Sequence, residues 1–181
     1  MSIYYTGNGD KGTSSSIGSG DMSKDDVIFY ALGSLDELNS NIGVSLLYVK
    51  DSRISGFLRI VQDNIFSIAA IIGDVYNRTS NSAGVKVPDM LFMEEAIEEL
   101  AGELPELKKF VMPVGSAAAS YLHVARAVAR RAERDAISLR KRREFSVGII
   151  KYLNRLSSFL FVAALYENSI NGRAESNPTY M

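Results

Sequence analysis

Apolar residues recur at intervals of three and four along most of the chain after residue 23. In the first such stretch they are Val27, Ala31, Leu35, Leu38, Ile42 and Leu46. This spacing predicts a helix with one apolar face, and it returns four more times. The predicted helices cover residues 24–49, 54–77, 89–104, 116–140 and 146–169. Ser23 is expected to cap the first helix, with Asp25 and Asp26 in its first turn.

The order of these stretches predicts the fold class. No stretch shows the period-two alternation and turn signals of a β-strand. Long helices with short connections favour an all-α, five-helix up-and-down bundle preceded by a Gly-rich N-terminal loop. We expect a single domain over residues 1–181. It divides into an N-terminal segment (1–23), the helical bundle (24–169) and a frayed tail (170–181).

Composition excludes several classes of protein. The chain has no cysteine and one histidine, which excludes disulfides, thiolate metal sites, cysteine nucleophiles and multi-histidine metal sites. A net charge of −1 does not suggest a nucleic-acid binder. We identify no signal peptide and no apolar run as long as a membrane span, so we expect a cytoplasmic protein without membrane contact.

The predicted fourth helix carries a cluster of charged residues. At 100° per residue, His123, Arg126, Arg130, Glu133 and Arg134 share one side. The other side is apolar and mostly small: Ala117, Ala118, Tyr121, Ala125, Val128, Ala129 and Ala132. A solvated charged face is one interpretation. Arginine also binds phosphate and carboxylate in a planar, bidentate manner, so a polyphosphate site is the other.

Two further helices carry polar residues that need an explanation. On the predicted fifth helix, Lys151, Asn154 and Ser158 form either a polar stripe at a helix seam or a set that reads a base or sugar edge. On the first helix, Asp36 lies among leucines. A partly buried carboxylate is costly unless it is paired, and Arg126 is the natural partner.

The N-terminal stretch YYTGNGDKGTSSS (residues 4–16) matches no standard phosphate loop. Thr13 stands where a Walker A loop needs lysine, and no strand precedes it. Glycines nevertheless let backbone N–H groups approach an anion, and Lys11 and Lys24 supply positive charge. The segment is therefore either an anion-binding loop or a flexible leader.

Five stretches in order resemble one family. They are YTGNGDKGTSS, SKDD, GSLDELNSNIG, HVARAVARRAER and YLNRLS followed by FLF. Together they resemble the PduO-type ATP:cob(I)alamin (corrinoid) adenosyltransferases over about residues 3–167. The resemblance implies a five-helix bundle that forms a homotrimer and binds ATP between subunits. It implies transfer of the 5′-deoxyadenosyl group to the cobalt of cob(I)alamin with release of triphosphate, in adenosylcobalamin biosynthesis.

The resemblance also implies roles for individual residues. ATP would be bound by the segment 1–23 and helices four and five: Thr6, Gly7, Asn8, Gly9, Lys11, Ser14, Ser15, Lys24, Arg130, Arg131, Glu133, Arg134 and Asn154. Asp36, Arg126 and Arg130 would be catalytic, with Asp36 and Arg126 paired at the subunit contact. Phe110 would cover the lower face of the corrin, near Val114 and Ser158. Mg²⁺ would accompany ATP, no protein metal site is implied, and a reductase or a cobalamin-dependent client enzyme would be a partner.

Four positions depart from the family pattern. Gly7 replaces a basic residue, Tyr30 an acidic residue, Val114 a glycine of a PGG turn and Ser158 an aspartate. These departures keep a second function open, a non-catalytic ATP- or corrinoid-binding carrier or sensor on the same bundle. A plain interaction bundle with a charged seam is a third. We expect His123 to be a packed, hydrogen-bonded helix residue rather than a general base.

Overall fold

The computed structural model describes residues 4–16, 19–75 and 85–179. In this part of the chain five α-helices follow a two-stranded hairpin. The helices are α1 (Val27–Leu46), α2 (Ser52–Gly73), α3 (Leu91–Gly102), α4 (Ala117–Arg140) and α5 (Val147–Ile170). The predicted all-α, five-helix architecture is confirmed. The last residues of the predicted second helix, 76 and 77, lie outside the described residues.

Helix α4 lies at the centre of the packing, against α1 on one side and α5 on the other. Helix α2 packs on α1, and α3 packs on α5. Six of the ten buried residues of α4 are alanines, all at most 2% exposed: Ala118, Ala119, Ala125, Ala129, Ala132 and Ala136. Small side chains let two neighbouring helices approach closely. Ala117 and Tyr121, which we assigned to this apolar side, are exposed instead.

Side chains cap α1, α2, α4 and α5, but the cap of α1 is not the predicted residue. Ser116, at which the predicted fourth helix begins, caps α4 by accepting a hydrogen bond from the N–H of Ala119. The prediction for α1 is wrong, because Asp26 is its cap and accepts from the N–H of Ile28 at 3.1 Å. Ser23 cannot cap this helix, since it lies three residues earlier in an extended strand.

Asp51 caps α2 by accepting from the N–H groups of Arg53 and Ile54 at 2.8 and 3.2 Å. Burial by itself would raise the pKa of Asp51, but hydrogen bonds from the Arg53 side chain and from both N–H groups outweigh it and lower the pKa. The helix therefore begins at Ser52, two residues before the predicted start.

The N-terminal segment contains a hairpin that the sequence did not reveal. Strand β1 (Thr13–Ser14) pairs antiparallel with β2 (Met22–Ser23). Two-residue strands are too short to show an alternating pattern. The N–H of Lys24 donates to the carbonyl of Gly12 at 2.9 Å and extends this pairing by one bond.

The predicted frayed tail is wrong for the described residues 171–179. The N–H of Met112 donates to the carbonyl of Ser176 at 2.8 Å. The side-chain amide of Asn177 donates to the carbonyl of Phe110 at 2.7 Å. Residues 176 and 177 are exposed but are hydrogen-bonded to the backbone of another segment.

Two helices, α2 and α5, are long and apolar enough by length and composition to cross a membrane. The expectation that no stretch approaches that length is therefore wrong. Half of the most apolar part of α5 is buried in the protein, and both helices pack on other helices of the bundle. Core helices of bundles pass the same test, so it does not indicate a membrane protein.

Candidate active site

The charged side of α4 runs from a buried end to an exposed end. His123 is only 3% exposed, Arg126 is half-buried, and Arg130 and Arg134 are exposed. Burial lowers the pKa of Arg126, and the charge of Arg130 lowers it further; the guanidinium still stays protonated at neutral pH. The buried Nε of Arg126 has no hydrogen-bond partner among the described residues.

His123 lies against Phe161, with 6.1 Å between ring centroids. The expected packing of His123 is confirmed, but the expected hydrogen bond is not. Within the described chain neither ring nitrogen has a partner. Burial, and then the charge of Arg126, lower the pKa of His123 to about 4. The imidazole is therefore neutral at neutral pH.

A cavity of about 780 Å³ opens above these residues. Phe110, His123, Arg126 and Phe161 line it together with the segment 107–113. Phe110 is 75% exposed at its edge. The structure thus brings together Phe110 and Arg126, which lie sixteen positions apart in sequence and which the resemblance assigned to corrin contact and catalysis.

Two charged residues of α4 are oriented by residues of the neighbouring helices. The amide of Asn154 on α5 donates to Glu133 at 3.0 Å. Arg131 forms a hydrogen-bonded ion pair with Glu37 on α1, and this bond lowers the pKa of Glu37. Arg131 is therefore already engaged by a carboxylate. Arg130 and Arg134 have no ion-pair partner in the described part of the chain.

The burial of Asp36 differs from the prediction made from the sequence. It is exposed rather than partly buried, because it lies on the side of α1 opposite Leu35 and Leu38, which are at most 1% exposed. No ion pair joins Asp36 to Arg126 within the described chain. The expected pairing at a contact between subunits stays a prediction.

The N-terminal site residues surround two turns next to the hairpin. Gly7 and Gly12 adopt φ angles of 75° and 77°, which favour glycine. The amine of Lys24 donates to the carbonyl of Gly9 at 2.8 Å. The loop itself therefore positions this side chain, which is predicted to bind the phosphates of ATP. Thr6 accepts from the N–H of Asn8 at 3.3 Å.

The other N-terminal candidates differ in exposure. Lys11 and Ser15 are exposed, and Ser14 is half-buried within β1. No hydrogen bond or ion pair joins residues 6–15 to α4 or α5 among the described residues. Among the described residues of one chain, the two halves of the predicted ATP site are therefore not bonded to each other.

The two remaining corrin candidates lie on separate elements. Val114 is 47% exposed, in the connection that leads into α4. Ser158 is half-buried on α5, and neither residue lines the cavity that holds Phe110 and Arg126.

The model of the cobalamin adenosyltransferase family matches residues 4–167 of this chain. The chain belongs to this family. Among curated proteins it is 36% identical to a corrinoid adenosyltransferase of Bacillus subtilis, over 93% of this chain and 88% of that protein. It is 34% identical to the human corrinoid adenosyltransferase, over 94% of this chain and 71% of that protein.

Solved structures agree with this membership of the cobalamin adenosyltransferase family. A variant PduO-type ATP:corrinoid adenosyltransferase from Lactobacillus reuteri, complexed with cobalamin and ATP, superposes with a TM-score of 0.89 at 31% identity. The match covers 97% of this chain and 99% of that chain. A second variant of that enzyme, complexed with ATP, gives a TM-score of 0.87.

The sequence did not reveal every residue that lines the cavity or supports the segments around it. In the sequence, Phe161 is only the last residue of the FLF motif. In the structure it packs on His123 and lines the cavity. Asn168 and Glu175, which bind each other at 3.0 Å, fall at the end of α5 and in the supposed tail. A cluster of asparagines before Gly172 was the available signal, since such residues commonly satisfy backbone groups at helix ends.

Proposed function

We propose that this chain transfers the 5′-deoxyadenosyl group of ATP to the cobalt of cob(I)alamin. The electron pair of Co(I) forms the new bond to C5′ of ATP. The bond between C5′ and the phosphate oxygen breaks, and triphosphate leaves with its electrons. Cob(I)alamin is itself a strong nucleophile, so the protein needs to supply orientation and electrostatics rather than a nucleophile. A chain without cysteine, whose one histidine is buried and neutral, suits this chemistry.

The shared cavity of Phe110 and Arg126 is the observation that carries the proposal. An exposed aromatic ring can cover one face of a corrin and exclude water from it. Arg126 lines the same cavity, and its buried Nε–H has no hydrogen-bond partner among the described residues. One turn along α4, Arg130 is exposed and able to meet the charge that develops on triphosphate.

Mg²⁺ would reach this site on the phosphates of ATP. No cluster of three His, Cys, Asp or Glu side chains that could hold a metal occurs among the described residues. Magnesium commonly keeps its waters and binds through substrate phosphates. The ion would neutralise part of the triphosphate charge beside Arg130 and Arg134.

A homotrimer is part of the proposal. The hairpin residues and the α4–α5 residues predicted to bind ATP are not bonded to each other within one chain, which favours a site completed by a neighbouring copy. An exposed Asp36 is likewise available to a partner. A cytoplasmic location, with a reductase or a cobalamin-dependent client enzyme nearby, remains part of the proposal.

The test is anaerobic adenosylation followed by the corrin absorbance spectrum. Purified protein with ATP, Mg²⁺ and chemically reduced cobalamin should form adenosylcobalamin. Arg130→Ala should abolish or strongly reduce the rate. Arg59→Ala is the matched control, because Arg59 is an exposed arginine on α2, and it should keep wild-type activity.

Two outcomes would contradict the proposal. Wild-type protein that binds ATP without forming adenosylcobalamin would indicate a non-catalytic nucleotide- or corrinoid-binding module. Equal losses of activity in the Arg130→Ala and Arg59→Ala variants would mean that α4 does not hold the phosphates.

A further inference from the structure

The segment 110–116, which carries Phe110 into the start of α4, is hydrogen-bonded to the C-terminal part of the chain. Its backbone binds Ser176 and Asn177 through Met112 and Phe110, as described above. The other described bonds between this segment and the C-terminal part come from one residue on α5. The side-chain amide of Asn168 donates to the carbonyl of Val114 at 3.0 Å.

Asn168 uses both N–H groups and the oxygen of its side-chain amide in this place. It is 0% exposed. Its second N–H donates to Glu175 at 3.0 Å, and its Oδ1 accepts from the N–H of Ser116 at 2.9 Å. Its own backbone carbonyl accepts from the N–H of Arg173 at 2.9 Å, which turns the tail back after α5. One buried amide thus joins α5, the tail and the entry to α4.

Gly115 shows how close this contact is. Its φ is 137°, a conformation that residues with a side chain rarely adopt. A Cβ atom at this position would lie 2.0 Å from Oδ1 of Asn168. The backbone reaches the amide only because position 115 has no side chain.

Packing alone does not place this part of the chain. A second cavity, of about 700 Å³, separates the segment 104–111 from α5. It is lined by apolar residues of α5, among them Val162 and Leu165, and by the tail. Phe110 itself is 75% exposed. Because the segment does not rest on a filled core here, hydrogen bonds from Asn168 and the tail set the position of Phe110.

We propose that Asn168 is a positioning residue for corrinoid binding, which acts by fixing the segment 110–116 and the tail 173–177. The proposal rests on the function proposed above, in which Phe110 contacts the corrin. Asn168 does not reach the substrate. Its loss should therefore affect the corrinoid half of the reaction and not the nucleotide half.

The first test uses Asn168→Ala, with Asn171→Ala as the matched control. Asn171 lies at the same end of α5, but its amide donates to the carbonyl of Glu167 at 2.6 Å. In Asn168→Ala, we expect the KM for cobalamin to rise about tenfold and the KM for ATP to stay within about twofold, since several buried hydrogen bonds are lost. Equal changes in both KM values, or none, would overturn the proposal.

A second measurement does not depend on turnover. Trypsin cuts after Lys108 and Lys109, which are exposed and lie directly before the segment 110–116. Cleavage there should be about tenfold faster in Asn168→Ala than in wild type or Asn171→Ala, because a released segment opens more often. Unchanged cleavage contradicts the proposal. If wild-type protein makes no adenosylcobalamin, the proposed function fails, while this experiment still decides whether Asn168 holds the segment.

A rescue experiment separates positioning from general destabilisation. Asn168→Asp keeps the acceptor for Ser116 but sets a second carboxylate against Glu175. Adding Glu175→Gln restores a donor on the other side of that bond. We expect the KM for cobalamin in the double variant to return part of the way to the wild-type value. No such return would count against the hydrogen-bond network.

Asn177→Ala covers the case in which the Asn168 variants do not fold. Asn177 is exposed, and its substitution removes only the bond to Phe110. The same changes in cobalamin KM and in cleavage, at smaller size, are expected. Wild-type values for both would overturn the proposal.

Discussion

The buried histidine makes the stability of this protein depend on pH in a calculable way. His123 is 3% exposed and its pKa is lowered to about 4 in the folded protein, against about 6.5 in an unfolded chain. Lys108, Lys109 and Arg126 line the adjoining cavity, whose lining contains no acidic residue. Nothing in the cavity lining therefore stabilises an imidazolium.

The sign follows from where the proton binds. Below pH 6.5, His123 binds a proton in the unfolded chain but stays neutral in the folded protein until the pH approaches 4. Acid therefore favours unfolding. The lowered pKa costs about 2 kcal/mol of the free energy of unfolding between pH 7 and pH 5, and about 3 kcal/mol by pH 4. These losses should be missing from a His123→Leu variant, because leucine does not titrate.

Urea unfolding at several pH values measures this difference directly. The free energy of unfolding of wild type minus that of His123→Leu should fall by about 2 kcal/mol from pH 7 to pH 5. The chain has one histidine, so proton NMR can also follow its titration without assignment. A constant difference between the two proteins, or an NMR pKa near 6.5, would refute the reasoning.

Three further changes should alter stability, each measured by denaturant unfolding at pH 7 unless stated. Asp51→Ala removes the cap of α2 and should cost about 1 kcal/mol; because the pKa of Asp51 is lowered, this difference should shrink only as pH falls below about 4. Tyr152→Phe leaves the amide of Asn64 without the acceptor it now has at 3.0 Å and should cost about 1–2 kcal/mol. Phe159→Ala empties a fully buried site beside Phe57 and should cost about 3–5 kcal/mol; losses under about 0.5 kcal/mol would contradict each assignment.

The five helices could be predicted from sequence because their signals are local. Ser116 lies directly before a run of alanines, and α4 begins beside it where the sequence predicted a helix start. Helical spacing alone places Arg126, Arg130 and Arg134 on one side. The wrong prediction of the α1 cap also comes from relying on local signals. Both Ser23 and Asp26 are good capping residues, and only the pairing of β2 with β1 shows that Ser23 is already used in a strand.

The buried half of the site could not be predicted, because it depends on contacts between distant segments. Spacing puts His123 on the charged side of α4, but its burial depends on Phe161 and on the segment 107–113. That segment has no periodicity. Asn168 looks like an ordinary polar residue at a helix end and Asn177 like one in a tail, and their partners lie 54 and 67 positions away.

The two ends of the charged side of α4 suit different tasks, and burial makes the difference. Arg130 and Arg134 are exposed, where water and salt weaken the attraction between charges. They can discriminate a polyphosphate strongly only when something excludes water from them, and the glycine-rich hairpin of a neighbouring copy is the segment proposed to do so. Arg126 needs no such cover, because its Nε is already buried. In the function proposed above, the corrinoid half of the site would therefore form largely within one chain, and the nucleotide half would be completed by assembly.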